Sequence, residues 1–239
     1  MWRDEAKPVG VLTEREFELS VDGRLVPGLV WTDGEVESGQ PIVLLGHGGT
    51  THKKADYLVQ VAMLLARRGV VTMAIDGPGH GERGGDPDPK DPAWFEKAWN
   101  EGGGSDAAVA DWHAALDFVS AELETGKTGY WGLSMGTMMG LPVVANDDRI
   151  SVALLGLMGN WGPNADRLMA EAPNLTCPLR FLIQWDDEIV PRDACLELFS
   201  TIGSKRKTLH ANPGLHAAVP AFEIRDSTDY LAGVLKRRG

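Results

Sequence analysis

The chain has 239 residues, 43% of them hydrophobic and 24% charged, enough for a globular protein with a substantial buried core. Its net charge of −11 argues against a nucleic-acid partner, and no apolar run approaches the length that crosses a membrane. The N-terminal MWRDEAKPVG lacks the apolar core of a signal peptide, and Cys177 and Cys195 stand in no metal or redox spacing, so a cytoplasmic protein with two structural thiols is expected.

In chain order, EFELSVDGRLVPGLVW (16–31) alternates in hydrophobicity around Asp22-Gly23 and predicts an antiparallel hairpin. PIVLLGHGG (41–49) is a continuous apolar run that breaks into glycines, as a buried strand ending at a functional edge does. Leu58, Val61, Ala62 and Leu65 give helical spacing over 55–68, followed by Gly69 and a second buried strand, VVTMAID (70–76). Residues 77–105 are rich in glycine and proline and predict a long loop, with only PAWFEKAW as a short helix. Regular order resumes with a helix over 107–122, strand TGYWGL, a helix from Met135, strands SVALLGL and LRFLIQW, a helix over 192–201, strand KRKTLHA and a helix over about 219–236. Buried strands alternating with helices predict an α/β fold: one domain over 1–239, with a mostly parallel sheet covered on both faces. In such sheets ligands bind beyond the carboxyl ends of the strands, so chemistry is sought in the loops that follow them.

Four such loops carry suggestive residues: GHGGTTH (46–52), GLSMG (132–136), QWDDEIVPRD (184–193) and NPGLHAAVP (212–220). GLSMG matches G-x-S-x-G, a pentapeptide that a chain with 29 glycines produces by chance often enough to carry little alone. Its context is more specific, because strand TGYWGL runs directly into a helix. A nucleophile on so sharp a turn brings strand and helix together, so Gly132 and Gly136 must lack side chains. A serine hydroxyl needs a base to take its proton, and the base needs a carboxylate to fix its tautomer. An aspartate and a histidine follow later strands, in the order Ser, Asp, His.

With these motifs, spanning residues 42–220, the chain resembles an α/β-hydrolase. It is similar to the compact serine esterases and the dienelactone-hydrolase-like branch, with a D-x-x-G-x-G turn in DGPGHG (76–81). The dienelactone hydrolases proper use cysteine, so Ser134 turns the implied chemistry to that of a serine esterase. The family's D-x-x-V-P pattern matches Asp187 to Pro191, which makes Asp187 the acid, with Asp186 as its competitor. The resemblance makes His216 the base, with His210 structural inside the last strand. It assigns the oxyanion donors to the N–H groups of Gly49 and Met135. Two departures stand out: Gln184, where the family often has glycine before its acid, and Pro142, two turns into the helix after Ser134.

The resemblance implies a carboxylic-ester hydrolase acting on a small or medium substrate through Ser134, His216, Asp187 and an acyl-enzyme, with no cofactor and no metal. The same triad also serves thioesterases, amidases or peptidases, acyltransferases and carbon–carbon bond hydrolases, and a non-catalytic ligand-binding role is the remaining alternative. GHGERG (79–84) is a literal G-x-G-x-x-G, but the prolines and glycines after it forbid the helix a dinucleotide needs. His47 is expected to brace the oxyanion loop, and His52, His80 and His113 to face solvent or support the site from behind. Trp94, Phe95 and Trp99 in the 77–105 loop, and Trp161, are candidates for a substrate-binding wall, or else anchors for their own loops. Only about 21 residues (158–178) separate SVALLGL from LRFLIQW, too few for a large lid, so the 77–105 loop is the expected cover.

Overall fold

The computed structural model describes residues 1–84, 91 and 93–237. The chain enters as an antiparallel meander of β1 (Lys7–Val9), β2 (Leu12–Val21) and β3 (Arg24–Thr32). Asp22 and Gly23, at φ 49° and 77°, form the two-residue turn between β2 and β3, both left-handed as a tight hairpin of native twist requires. The sequence pattern misses β1, because three largely exposed residues carry no readable periodicity.

The remaining strands are β4 (Ile42–Gly46), β5 (Val71–Ile75), β6 (Thr128–Gly132), β7 (Ile150–Gly156), β8 (Leu179–Gln184) and β9 (Lys207–Asn212). The helices between and after them are α1 (Asp56–Ala66), α2 (Trp94–Glu101), α3 (Gly104–Leu123), α4 (Met135–Ala145), α5 (Ala165–Glu171), α6 (Arg192–Thr201) and α7 (Ala221–Leu235). One nine-stranded sheet results, in the order β1-β2-β3-β5-β4-β6-β7-β8-β9, with β3 antiparallel to β5 and all neighbours from β5 to β9 parallel. This is the mostly parallel α/β architecture that the alternation of apolar runs and helices predicts.

Side chains leave a strand alternately to its two faces, and here both faces are buried. Ile42 and Leu44 join a core with Trp112, Tyr130 and Phe181 beneath α2 to α6, whereas Val43 and Leu45 join Trp31, Leu58 and Trp131 beneath α1 and α7. The strand order reverses next to β4: from β4 the chain moves to β5 on one side, and from β6 to β7 on the other. The loops after β4 and β6 therefore diverge and open a crevice at the carboxyl edge of the sheet.

Local differences from the predicted elements have physical causes. Helix α5, inside the segment 158–178 to which the sequence pattern assigns no element, has seven residues and buries only Leu168, too little for a periodic signal. Helix α3 begins at Gly104 rather than Ala107, because a run of three glycines reads as a loop even where its last residue opens a helix. The expected short helix PAWFEKAW (92–99) is represented by α2, which starts at Trp94 and runs on to Glu101, and residues 85–90 and 92 of the expected covering loop lie outside the described residues.

Pro142 does not end α4, which runs on to Ala145. Having no N–H, it leaves the carbonyl of Met138 without its helical partner. Buried Asn164 supplies the substitute: its Nδ2 donates to Met138 O at 3.1 Å, while Ser105 Oγ of α3 donates to its Oδ1 at 2.8 Å. The proline thereby opens a hydrogen-bonding position that joins α4, α3 and the start of α5. Replacing Asn164 by Ala should cost about 1–3 kcal/mol in chemical denaturation. The loss should be smaller in a Pro142→Ala background, where the new N–H can serve Met138; equal losses in both backgrounds would contradict this coupling.

Candidate active site

Ser134 sits between β6 and α4 at φ 58° and ψ −123°, a backbone conformation that L-residues rarely adopt. The surrounding chain is built to hold it. A side chain at Gly132 would bring a Cβ within 2.6 Å of Gly136 O, and one at Gly136 would collide with Gly46 O, so strand and helix can approach this closely only through glycines. Ser134 N–H donates to Gly156 O at 2.9 Å, and Ser134 O accepts from the N–H groups of Thr137 and Met138 at 2.8 and 3.0 Å. Thr137, fully buried, accepts the Gly156 N–H at 2.7 Å, and its hydroxyl lies 2.6 Å from Gly156 O and 2.9 Å from Gly132 O. Sequence reasoning did not single out Thr137, although a lone hydroxyl in an otherwise apolar helix start was the available signal.

The loops after β8 and β9 converge on this turn. His216 Nε2 lies 2.9 Å from Ser134 Oγ, and its Nδ1 lies 2.7 Å from Asp187 Oδ2. Asp187 Oδ1 is fixed in turn by the N–H groups of Ile189 and Val190, at 2.9 and 2.8 Å. The competitor Asp186 is exposed and accepts the Gly214 N–H at 3.2 Å, one residue away from any role at the imidazole. His210 pairs with Glu223 at 2.9 Å, away from Ser134. The thiols are free, and burial pushes Cys195 up to about 12 and Cys177 up to about 11.

The loop after β4 brings Gly49 to the edge of both cavities beside Ser134. Among the described residues, neither Gly49 N–H nor Met135 N–H has a protein acceptor. The preceding residue, Gly48, is clamped at both of its backbone polar groups. Gly48 N–H donates to Tyr57 Oη at 2.6 Å, and Gly48 O accepts from His47 Nδ1 at 2.8 Å and Thr51 Oγ1 at 2.9 Å. His47 Nε2 accepts the Gly77 N–H at 2.8 Å, which fixes a neutral imidazole protonated on Nδ1 and ties the β4 loop to the β5 loop. Nearby, buried Asp76 accepts from both Lys53 N–H, at 2.8 Å, and Lys53 Nζ, at 2.7 Å. Burial holds His47 down to about 4. It also lowers His80, which is buried 5.6 Å from the His47 ring instead of solvent-facing, with Nδ1 on Pro78 O at 2.8 Å.

Two cavities meet at Ser134, sharing Gly49 and His216. One, of about 490 Å³, is lined by Tyr57, Leu64, Trp131, Leu133, Leu157 and Ile224. The other, of about 790 Å³, is lined by Phe95, Met135, Met138, Met158, Trp161 and Ile189. Of the four aromatics expected to form a wall, Phe95 and Trp161 border the second cavity. Trp99 lies one helical turn beyond Phe95 and is buried in the core, while Trp94 turns away into a separate groove with Arg83 and Lys97. Tyr57, Trp131 and Ile189 border the cavities without having been singled out by pattern; Tyr57 lies on a helix and Trp131 in a strand, where apolar periodicity reads only as core. Thr50 and Leu157, also at positive φ, line the same cavities, so backbone strain gathers around Ser134. Among the described residues, no group of three His, Cys, Asp or Glu side chains is arranged to hold a metal ion, and no helix is long and apolar enough to cross a membrane.

A family model described as "Alpha/beta hydrolase family" matches residues 42–233. Among solved structures, a cold-adapted esterase from an Arctic intertidal metagenomic library, bound to PEG, is 55% identical over 99% of this chain and 100% of its own, with a TM-score of 0.93. The native structure under the same description aligns at 51% identity and a TM-score of 0.87 over the same shares. An acetyl xylan esterase from Paenibacillus sp. R4 shares the fold at 18% identity, with a TM-score of 0.73 over 98% of this chain and 87% of its own. No curated protein matches the chain significantly.

The buried neutral state of His47 makes stability depend on pH. As pH falls below about 6.5 the unfolded chain takes up a proton that folded His47 refuses until about 4, so stability is lost progressively through that window. His80 shifts in the same direction. The melting temperature should therefore drop between pH 6.5 and 4, and His47→Gln, which keeps a donor and an acceptor but cannot titrate, should flatten that drop by several degrees. An unchanged acid slope in the variant would contradict the assignment.

Proposed function

The chain belongs to the alpha/beta hydrolase family, and we propose that it hydrolyses carboxylic esters with Ser134 as nucleophile. The observation that carries this reading is the continuous relay from Asp187 through His216 to Ser134 Oγ, with steps of 2.7 and 2.9 Å. His216 Nε2 takes the Ser134 proton as Oγ attacks the acyl carbon, and Asp187 holds the resulting imidazolium in orientation. The negative charge that develops on the carbonyl oxygen is taken by the N–H groups of Gly49 and Met135, the second lying at the N-terminus of α4, where helix N–H groups favour negative charge. His216 then returns its proton to the departing alcohol. Water repeats the relay to release the acid from the acyl-enzyme. Protons move only among these residues, substrate and water, so the cycle needs no cofactor.

The substrate reading follows from the space around Ser134. An ester has two halves, and two largely apolar cavities open on the same hydroxyl, which suits an acyl group and an alcohol of small to medium size. The segment 158–178 contributes the short α5 and a single 3-10 turn over Ala172–Asn174, too little for a large lid from that segment. The likeness to a cold-adapted esterase at 55% identity supports the same bond type.

Ser134→Ala should lower kcat on a short p-nitrophenyl ester by about 10⁴-fold or more while leaving the melting temperature close to that of the parent. Turnover at the parental rate would contradict Ser134 as nucleophile. Across a matched panel, esters should be cleaved faster than amides of the same acyl group; a preference for thioesters or amides would retain the relay and overturn the ester assignment.

A further inference from the structure

The turn that carries His216 has little packing to hold it. Leu215 is 54% exposed, and the loop leaves β9 at the edge of the sheet. Instead, the segment after β8 reaches across to it residue by residue. Gln184 Nε2 donates to Leu215 O at 3.1 Å and lies 3.5 Å from Pro213 O. Asp186 N–H donates to Gly214 O and its Oδ2 accepts Gly214 N–H, both at 3.2 Å. Asp187 binds the imidazole, and Glu188 Oε2 accepts the backbone N–H of His216 at 2.8 Å.

We propose that Gln184 and Glu188 are positioning residues that set the His216 imidazole against Ser134, a role that rests on the catalytic reading of the Ser134 relay. Asp187 fixes the ring through a single contact at Nδ1. A ring held at one atom can still swing unless its backbone is anchored, and Glu188 anchors the His216 peptide directly. Gln184 anchors the carbonyl one residue earlier. It is almost fully buried at the end of β8, and its Oε1 has no hydrogen-bond partner among the described residues. Burying an amide that is paired at only one end is unfavourable, and an apolar side chain of similar size would avoid that cost. The donor end therefore has a use, which is to hold the histidine turn. This also accounts for the departure from glycine at position 184. Proton transfer from Ser134 depends on a 2.9 Å contact, and a misplacement near 1 Å can cost on the order of 100-fold in rate.

Three variants test this by steady-state kinetics on a short p-nitrophenyl ester, with thermal melts alongside. Glu188→Ala and Gln184→Leu, which remove the acceptor and the donor respectively, should each lower kcat about tenfold with KM changed less than about twofold. Glu188→Gln, which keeps an acceptor for the His216 N–H, should recover most of the loss. Unchanged kcat in both Glu188→Ala and Gln184→Leu overturns the proposal. So does an equal loss in Glu188→Gln and Glu188→Ala, or a loss carried by KM alone. Ser134→Ala, run in parallel, separates the two levels: turnover surviving in that variant overturns the catalytic reading itself. Silent Gln184 and Glu188 variants in an enzyme that Ser134→Ala inactivates overturn only the positioning roles.

Discussion

Ser134 is held at φ 58° and ψ −123°, a conformation that costs on the order of 1–3 kcal/mol and persists only where the surroundings determine it. Here the close approach of β4, β6 and α4 supplies that determination. Gly46, Gly132 and Gly136 let the backbones meet, Tyr130 Oη donates to Gly136 O at 2.7 Å, and Thr137 fastens the start of α4 to the end of β7. Any larger residue at Gly136 would push α4 away from β4 and rotate both the serine hydroxyl and the Met135 N–H. The geometry at the carboxyl edge is therefore a consequence of strand spacing in the centre of the sheet.

Two polar networks extend this constraint to the neighbouring loops, and they differ in kind. Beneath the β4 loop the main groups are buried: His47 joins Gly48 O to Gly77 N–H, and Asp76 ties down Lys53, whose Nζ also reaches the exposed Glu82. A hydrogen bond in such a low-dielectric setting is strong when satisfied and expensive when broken, so the network fixes a single loop conformation. Around His216 the partners are backbone groups of an exposed turn, latched by the side chains of residues 184–188. Rigidity there comes from the number of hydrogen bonds rather than from burial. A third cluster, buried Asp111 between Arg24 and Arg83, at 3.0 and 2.8 Å, joins β3, the β5 loop and α3 behind the site.

The central strands were legible because burial on both faces writes them as unbroken apolar runs, and the helices between them make them parallel. The convergence of Ser134, His216 and Asp187 was legible for a different reason, since each follows a recognisable strand and the resemblance's D-x-x-V-P pattern singled out Asp187 over Asp186; the structure adds the N–H groups of Ile189 and Val190 on Asp187 Oδ1. What escaped the sequence depends on three-dimensional direction. Trp94, Phe95 and Trp99 share one short helix, yet face a groove, the site and the core respectively, a distinction fixed by how α2 packs. His80 looks like a loop residue because its neighbours are glycines, but the turn folds back and buries it against His47, Trp94 and Phe95. Gln184 and Pro142 looked like departures from a pattern. Each instead has a partner far along the chain, Leu215 for the first and, through Met138, Asn164 for the second.

The proposed reaction rests on the nucleophilicity of one hydroxyl, and covalent trapping reads that property directly. Treatment with a fluorophosphonate followed by peptide mapping by mass spectrometry should find a single adduct, on the peptide containing Ser134, formed in the parent and absent from His216→Ala. An adduct on another residue, or labelling at the same rate without His216, would contradict Ser134 as a nucleophile activated by His216.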